Sequence, residues 1–80
     1  MDTELLKRIT IVPGLMGGNP TIWAMRFKVA DVLGYLASGM SEEELLIDFP
    51  YLEKEDIKAC LLYASKKIDH PVILVNYDAA

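Results

Sequence analysis

Ser38-Gly39-Met40-Ser41-Glu42-Glu43-Glu44-Leu45-Leu46-Ile47-Asp48-Phe49-Pro50 is the stretch that decides the fold. Gly39 stops one amphipathic run, because glycine enters the left-handed conformation that ends helices without a Cβ penalty. Ser41 then supplies an N-cap oxygen, and Glu44, three residues on, reaches back to the Ser41 backbone N–H as a capping box. Pro50 closes the second helix by disfavouring helical geometry at Phe49. A third periodic run, Asp56 to Tyr63, opens within a few residues. Helix, tight turn, helix at this length is the helix-turn-helix unit, a frequent DNA reader and also a plain packing motif.

Working outward, Val29, Val32, Leu33, Leu36 and Ala37 recur at helical spacing and predict a first helix over 29–38. Asp31 stands near its N-terminus, where the macrodipole favours a negative charge. The second helix covers 42–48 and the third 54–68. Ile57, Leu61, Ala64 and Ile68 form the apolar stripe expected of the third helix, while Glu55, Lys58 and Lys66 point away. Its early acids (Glu53, Glu55, Asp56) and late Lys66 and Lys67 follow the order that the dipole prefers, which is helix physics before it is function. Leu33, Leu36, Leu45, Ile57 and Leu61 are the expected buried centre.

Upstream, Asp2 to Arg8 reads as a turn of helix or a loose end. Ile9-Thr10-Ile11-Val12 is β-branched throughout and bounded by Pro13-Gly14, a short strand ending in a turn. Leu15 to Pro20 is a loop, and 21–27 reads as a second strand bent near Ala24. The fold class is therefore mainly α in a single domain, 1–80. It has a short N-terminal β-ribbon on a three-helix bundle, and a β-prone C-terminal tail over 71–80. Val72-Ile73-Leu74-Val75-Asn76-Tyr77 is too apolar to dangle in water. It is expected to pair with the ribbon of its own chain, with a second copy, or with a different protein.

The totals exclude several functions. Eighty residues make one core, too small for an enzyme cleft of ordinary size. A hydrophobic share of 52% is more than so small a domain can hide, so a partner or a homodimer is expected to cover some of it. Net charge is −4, the wrong sign for life on phosphate backbones. No apolar run reaches the roughly 18 residues that span a bilayer, and no signal-peptide pattern opens the chain, so a cytoplasmic protein without a membrane role is expected. With one cysteine, Cys60, and one histidine, His70, no disulfide and no zinc constellation assembles. Cys60, among Ala59, Leu61 and Leu62, reads as a small packing residue. No Ser-His-Asp set, Walker loop or dinucleotide glycine fingerprint is present, and Gly17-Gly18 is followed by Asn19-Pro20 rather than by a lysine-bearing helix. The expectation is a non-enzyme without cofactor or metal.

Gly17-Gly18-Asn19-Pro20-Thr21-Ile22, Arg26, Val29, the run Leu36 to Leu45, Asp48, Pro50, Leu52, Asp56-Ile57, Ala59, Leu61 and Tyr63-Ala64 together resemble one small prokaryotic family. It is the family known as domain of unknown function 433, and the resemblance spans about residues 8–65 without gaps. It implies a short N-terminal β-hairpin followed by a homeodomain-like, helix-turn-helix bundle of three helices. Many members resemble antitoxins of type II toxin–antitoxin pairs, encoded beside a toxin with a PIN-like nuclease domain. Two departures stand out. Where the family reads roughly Ile-Arg-Gly-Thr-Arg-Ile-Pro-Val, this chain has Ile22-Trp23-Ala24-Met25-Arg26-Phe27-Lys28-Val29. That exchange removes a glycine free to adopt positive φ and a proline that stiffens entry into the helix. At the third helix the family's Thr-Pro becomes Glu53-Lys54, and glutamate is a poorer N-cap than threonine.

Three readings follow. In the first, the chain is an antitoxin that binds and neutralises a PIN-like nuclease. Arg26 is the candidate contact to the acidic centre, Trp23 the candidate anchor, and Val72, Leu74 and Tyr77 the candidate tail contacts. The bland alternatives are a surface Arg26 pairing with Asp31 or Glu42, and a Trp23 that packs the ribbon. In the second, the chain is a transcriptional regulator whose third helix reads DNA, with Lys54, Lys58, Lys66 and Lys67 on phosphates. Glu42, Glu43, Glu44, Glu53, Glu55 and Asp56 crowd the end that would approach base edges, which argues against specific DNA binding. In the third, it is a small structural dimer without separate activity.

Overall fold

The computed structural model describes residues 2–68. Along them run α1 (Asp2–Leu6), β1 (Ile9–Ile11), β2 (Pro20–Ile22), α2 (Val29–Ala37), α3 (Glu42–Asp48) and α4 (Lys54–Ile68), so the fold is mainly helical with one two-stranded antiparallel sheet. The tail over 71–80 lies outside the described residues.

The helices end where local chemistry stops them. Gly39 takes φ 103°, and Met40 N–H donates to the Tyr35 carbonyl (3.2 Å) while Gly39 N–H donates to that of Leu36 (3.1 Å). This is the paired closure of a Schellman motif at the end of α2. The capping box at α3 is complete: Glu44 N–H donates to Ser41 Oγ (3.1 Å), and Ser41 N–H donates to Glu44 Oε1 (2.8 Å). All three expected helices stand within a residue of their sequence-derived bounds.

Ile22, Phe27, Val29, Val32, Leu45, Leu52, Ile57 and Cys60 form the core, one closed centre shared by the ribbon and the three longer helices. Phe27 lies at the hub of an aromatic group, edge-on to Phe49 at 4.8 Å between ring centroids and 6.2–6.4 Å from Tyr51 and Tyr35. Such edge-to-face pairs add to the burial of the rings. Leu33 and Leu36 pack half-buried against this core.

Two expectations are corrected. Ile57 is buried as expected, but Leu61 is 43% exposed and Ile68 is 77% exposed, so the stripe over 57, 61, 64 and 68 faces the core only at its first member. The buried residues of α4 are Asp56, Ile57, Ala59 and Cys60. At roughly 100° per residue, this face is centred one position earlier than an all-apolar stripe would place it. The physical reason is Asp56, a carboxylate that occupies an inward position because other parts of the chain neutralise it.

The second correction concerns the strand over 21–27. Pairing runs Ile9↔Ile22, Thr10↔Thr21 and Ile11↔Pro20, and β2 stops at Ile22. Trp23 (φ 51°) and Ala24 (φ 58°) are both left-handed, and Met25 N–H donates to the Ile22 carbonyl at 2.8 Å. Positive φ at both central residues defines a turn of type I′, which reverses the chain so that Thr21 bridges Lys28. The bend expected near Ala24 is thus a full reversal, and a continuous strand is impossible through it.

Candidate functional site

Arg8 is the last residue before β1, and it reaches the opening turn of α4. Its Nη1 donates to Glu53 Oε1 (2.7 Å) and to Asp56 Oδ1 (2.9 Å). The second oxygen of Asp56 accepts the Glu53 backbone N–H at 2.8 Å, the return half of a capping box at the start of α4. Asp56 is only 1% exposed, and both of its oxygens are satisfied. The hydrogen bonds to Glu53 and then Asp56 raise the Arg8 guanidinium above its ordinary range, so it stays charged at every working pH.

The same guanidinium lies over the indole of Trp23, 5.4 Å from the ring centroid, within cation–π range. Main-chain bonds fix the turn that carries this indole. Trp23 N–H donates to the Arg8 carbonyl (2.7 Å), and Ala24 N–H donates to Thr10 Oγ1 (2.7 Å). Thr21 Oγ1 in turn donates to the Thr10 carbonyl (3.2 Å), which ties the turn to the buried centre of the ribbon. Beside the turn opens a cleft of about 520 Å³ between α1, Trp23 and α4, with Leu5, Lys7, Glu55 and Lys58 among its walls. Trp23 remains 51% exposed at its rim.

The expected site residues distribute as follows. Trp23 and Arg26 share one exposed turn, Trp23 facing the cleft. Among the described residues Arg26 forms no ion pair with Asp31 or Glu42. Lys54, Lys58, Lys66 and Lys67 are all exposed but do not share a face. Lys54 and Lys58 lie one turn apart, Lys66 and Lys67 roughly 80° and 180° round the helix from Lys58. Lys58 borders the Trp23 cleft, whereas Lys67 lies over the Tyr63 ring at 5.7 Å, at a second and apolar groove. Val72, Leu74 and Tyr77 lie outside the described residues.

Arg8, Thr10 and Asp56 are the parts of this site that sequence reasoning missed. Asp56 was legible as a helix-dipole acid and as part of the family resemblance, and Arg8 as the end of a loose turn, but not as a pair, because their contact crosses 48 residues. The usable signal was the position of Asp56, three residues after the N-cap and one turn before Cys60. Cys60 itself packs as expected, fully buried, with its thiol pushed up to about 12 by burial and by the charge of Asp56. Among the described residues no group of three or more His, Cys, Asp or Glu is placed to hold a metal ion, and no helix is long and apolar enough to cross a membrane.

Residues 9–64 match the family described as Protein of unknown function (DUF433), and the chain is a member of that family. An uncharacterized protein, y4eO of Sinorhizobium fredii (strain NBRC 101917 / NGR234), is 36% identical over 56 residues, covering 70% of this chain and 25% of that protein. The chain thus spans a quarter of that relative's length. The crystal structure of a DUF433 member from Anabaena variabilis ATCC 29413 superposes with a TM-score of 0.73 at 33% identity. The match covers 80% of this chain and 63% of that one.

Proposed function

We propose that this chain is a protein-interaction module of the antitoxin type, acting in the cytoplasm, whose Trp23–Arg26 turn docks on a PIN-like nuclease. One observation carries the reading. A large aromatic side chain, half exposed, is held at a turn that three hydrogen bonds and a stacked guanidinium make rigid. Rigid aromatic anchors give binding energy at little entropic cost, and tryptophan is enriched at interface hot spots. Arg26, exposed on the same turn, supplies a cation of the kind an acidic nuclease centre attracts. In this reading α2, α3 and α4 form a homeodomain-like, helix-turn-helix bundle that serves as scaffold for the turn.

The scatter of the four α4 lysines favours a protein partner over DNA, since a reader helix needs its phosphate contacts on one docking face. The test is an RNA-cleavage assay with the PIN-like nuclease encoded beside this chain's gene. Stoichiometric inhibition by the chain, lost in Trp23→Ala and Arg26→Glu, is the expected result. Undiminished cleavage, or a gene neighbourhood with no nuclease, overturns the proposal.

A further inference from the structure

The ribbon has one edge whose main-chain groups are unused. In an antiparallel pair, opposed residues alternate between those that exchange main-chain bonds and those whose N–H and C=O point outward. The register is Ile9↔Ile22, Thr10↔Thr21 and Ile11↔Pro20. Trp23 N–H donates to the Arg8 carbonyl at 2.7 Å, which puts the bonded class at Arg8 and, two residues on, at Thr10. Two further facts fix the same phase: Ile22 N–H turns away from β1 to the Phe27 carbonyl (3.1 Å), and Pro20 has no N–H to give. Ile9 and Ile11 therefore direct their N–H and C=O groups away from β2, and among the described residues none of the four has a hydrogen-bond partner. The far edge of β2 is different, since Thr21 there bridges Lys28.

The β1 edge also lacks the usual guards. Proteins blunt open edges with charges, prolines or bulges, yet Ile9-Thr10-Ile11-Val12 holds none of these. Ile11 is 56% exposed and Val12 is exposed beside it, whereas Ile9 packs against the core.

We propose that β1 pairs with β1 of a second copy, antiparallel about a two-fold axis through Thr10, so that two ribbons form one sheet of four strands. In this register Ile9 of each copy opposes Ile11 of the other, and all four outward groups of each chain are satisfied in four hydrogen bonds. Neighbouring axes do less. One at Ile9 sets Ile11 against Lys7, in the turn ahead of β1, and one at Ile11 sets Ile9 against Pro13, which has no N–H.

Side chains select the second copy among extended strands. Residues two apart share a sheet face, so Ile9 and Ile11 lie on the face of the buried Ile22. The axis brings each exposed Ile11 beside the half-buried Ile9 of the other copy, a β-branched cross-strand pair that carries the apolar face of one core into the next. The segment is uncharged, so the symmetry sets no like charges together within it. One contact closes both open edges.

The test is sedimentation equilibrium together with amide hydrogen exchange on the full chain. Apparent mass should rise with concentration from one chain to two, and exchange at the Ile9 and Ile11 amides should slow over the same range. The Thr10 and Thr21 amides, bonded within the ribbon, should stay slow throughout. Ile11→Pro removes a donor that the ribbon does not use, a change tolerated where an edge N–H faces outward. It deletes two of the four bonds and should weaken the dimer on the order of tenfold. Ile11→Lys keeps the N–H but sets a cation beside Ile9 of the other copy, and should weaken it as well. If Ile11→Pro loses the slow Thr21 exchange, and with it the ribbon, Ile11→Lys decides alone. A mass of one chain at every concentration overturns the inference, as does a dimer of unchanged affinity in the variants. Slow exchange at Ile9 and Ile11 that ignores dilution assigns the edge to a segment of the same chain and overturns it too. Nuclease inhibition does not enter these readouts, so the antitoxin reading and the edge pairing stand or fall separately.

Discussion

The two ends of α4 solve opposite problems. At its N-terminal end a buried carboxylate, Asp56, has both oxygens bonded within the chain, to Arg8 Nη1 and to the Glu53 N–H. At its C-terminal end Tyr63, Ala64 and Ile68 present apolar surface that the described residues leave open. No buried side-chain nitrogen or oxygen among the described residues lacks a hydrogen-bond partner. The comparison teaches how demanding the two kinds of burial are. A polar group accepts burial only with a fixed partner at a fixed angle, which pins α1, β1 and the Trp23 turn to α4. Apolar surface accepts any cover of suitable shape, so it is where exchange of occupants is possible.

Breaking the polar end should give the largest effect. Asp56→Ala removes the buried anion and leaves Arg8 with the exposed Glu53 alone, and Arg8→Ala leaves Asp56 buried without its cation. Arg8→Ala, which strands the buried Asp56, should cost about 3–5 kcal/mol, a large share of the stability of an 80-residue domain, and Asp56→Ala should cost less, because the partly exposed Arg8 keeps Glu53. Thermal melts should show each single variant far below the parent, at about 4–8 °C per kcal/mol for a domain of this size. The double variant Arg8→Met, Asp56→Leu should recover part of the loss. Single variants that melt with the parent would mean that the pair does not hold the two halves together.

The middle of α4 sharpens the comparison. Ile57→Ala should cost about 2–5 kcal/mol, because the side chain is fully enclosed in the core. Leu61→Ala, at a position 43% exposed, should cost no more than about 1 kcal/mol. Denaturant midpoints of the two variants check this, and equal losses would restore the stripe that the apolar pattern alone suggests.

That contrast shows how much was legible beforehand. The ends of α2 and α3 follow from Gly39 and the Ser41–Glu44 pair, because those signals act within five residues. Existence and length of α4 follow from periodicity. Its rotation does not, because it depends on Arg8 meeting Asp56 from 48 positions away. A helical wheel treats an aspartate as outward unless its partner is known. The turn at Trp23–Ala24 hides for a related reason: neither residue advertises positive φ, and bonds from Thr10 and Arg8 enforce it. Trp23 was a candidate by residue type and Arg26 through the family resemblance, while the cleft and the stacking on Arg8 required the fold.

A smaller effect separates Cys60 from the rest of the core. Its thiol is held at about 12 in the folded chain against an ordinary value of 9.0. A raised folded pKa means that the native state binds the proton more tightly than the unfolded chain does. The corresponding stability is complete below pH 9 and is lost progressively as pH rises from 9 towards 12. The slope should approach about 1.4 kcal/mol per pH unit for one proton. Cys60→Ala should lie lower at pH 7 but should lack this one-proton component. Urea titrations at pH 7.5, 9 and 10 compare the two slopes, and parallel lines would mean that the thiol ionises freely in the native state.

The smallest expected effect lies in the Trp23 turn, where it tests whether rigidity there comes at a local cost. Ala24 takes φ 58°, a region in which an L side chain crowds its own carbonyl at a cost of about 1–2 kcal/mol. Glycine relieves that strain but loses more chain entropy on folding, roughly 0.5–1 kcal/mol relative to alanine. The balance predicts that Ala24→Gly stabilises the protein by a few tenths of a kcal/mol, up to about 1 kcal/mol. The related pattern with glycine before the threonine and arginine is the form the backbone prefers. Alanine is tolerated because Thr10 Oγ1 accepts the Ala24 N–H and holds the turn closed. Thr10→Val should therefore destabilise the alanine form more than the glycine form, since the latter needs less enforcement. A four-variant cycle over Ala24 and Thr10, read by urea midpoints, measures that coupling. Additive losses would show that the turn is set by its own residues and that Thr10 only follows it.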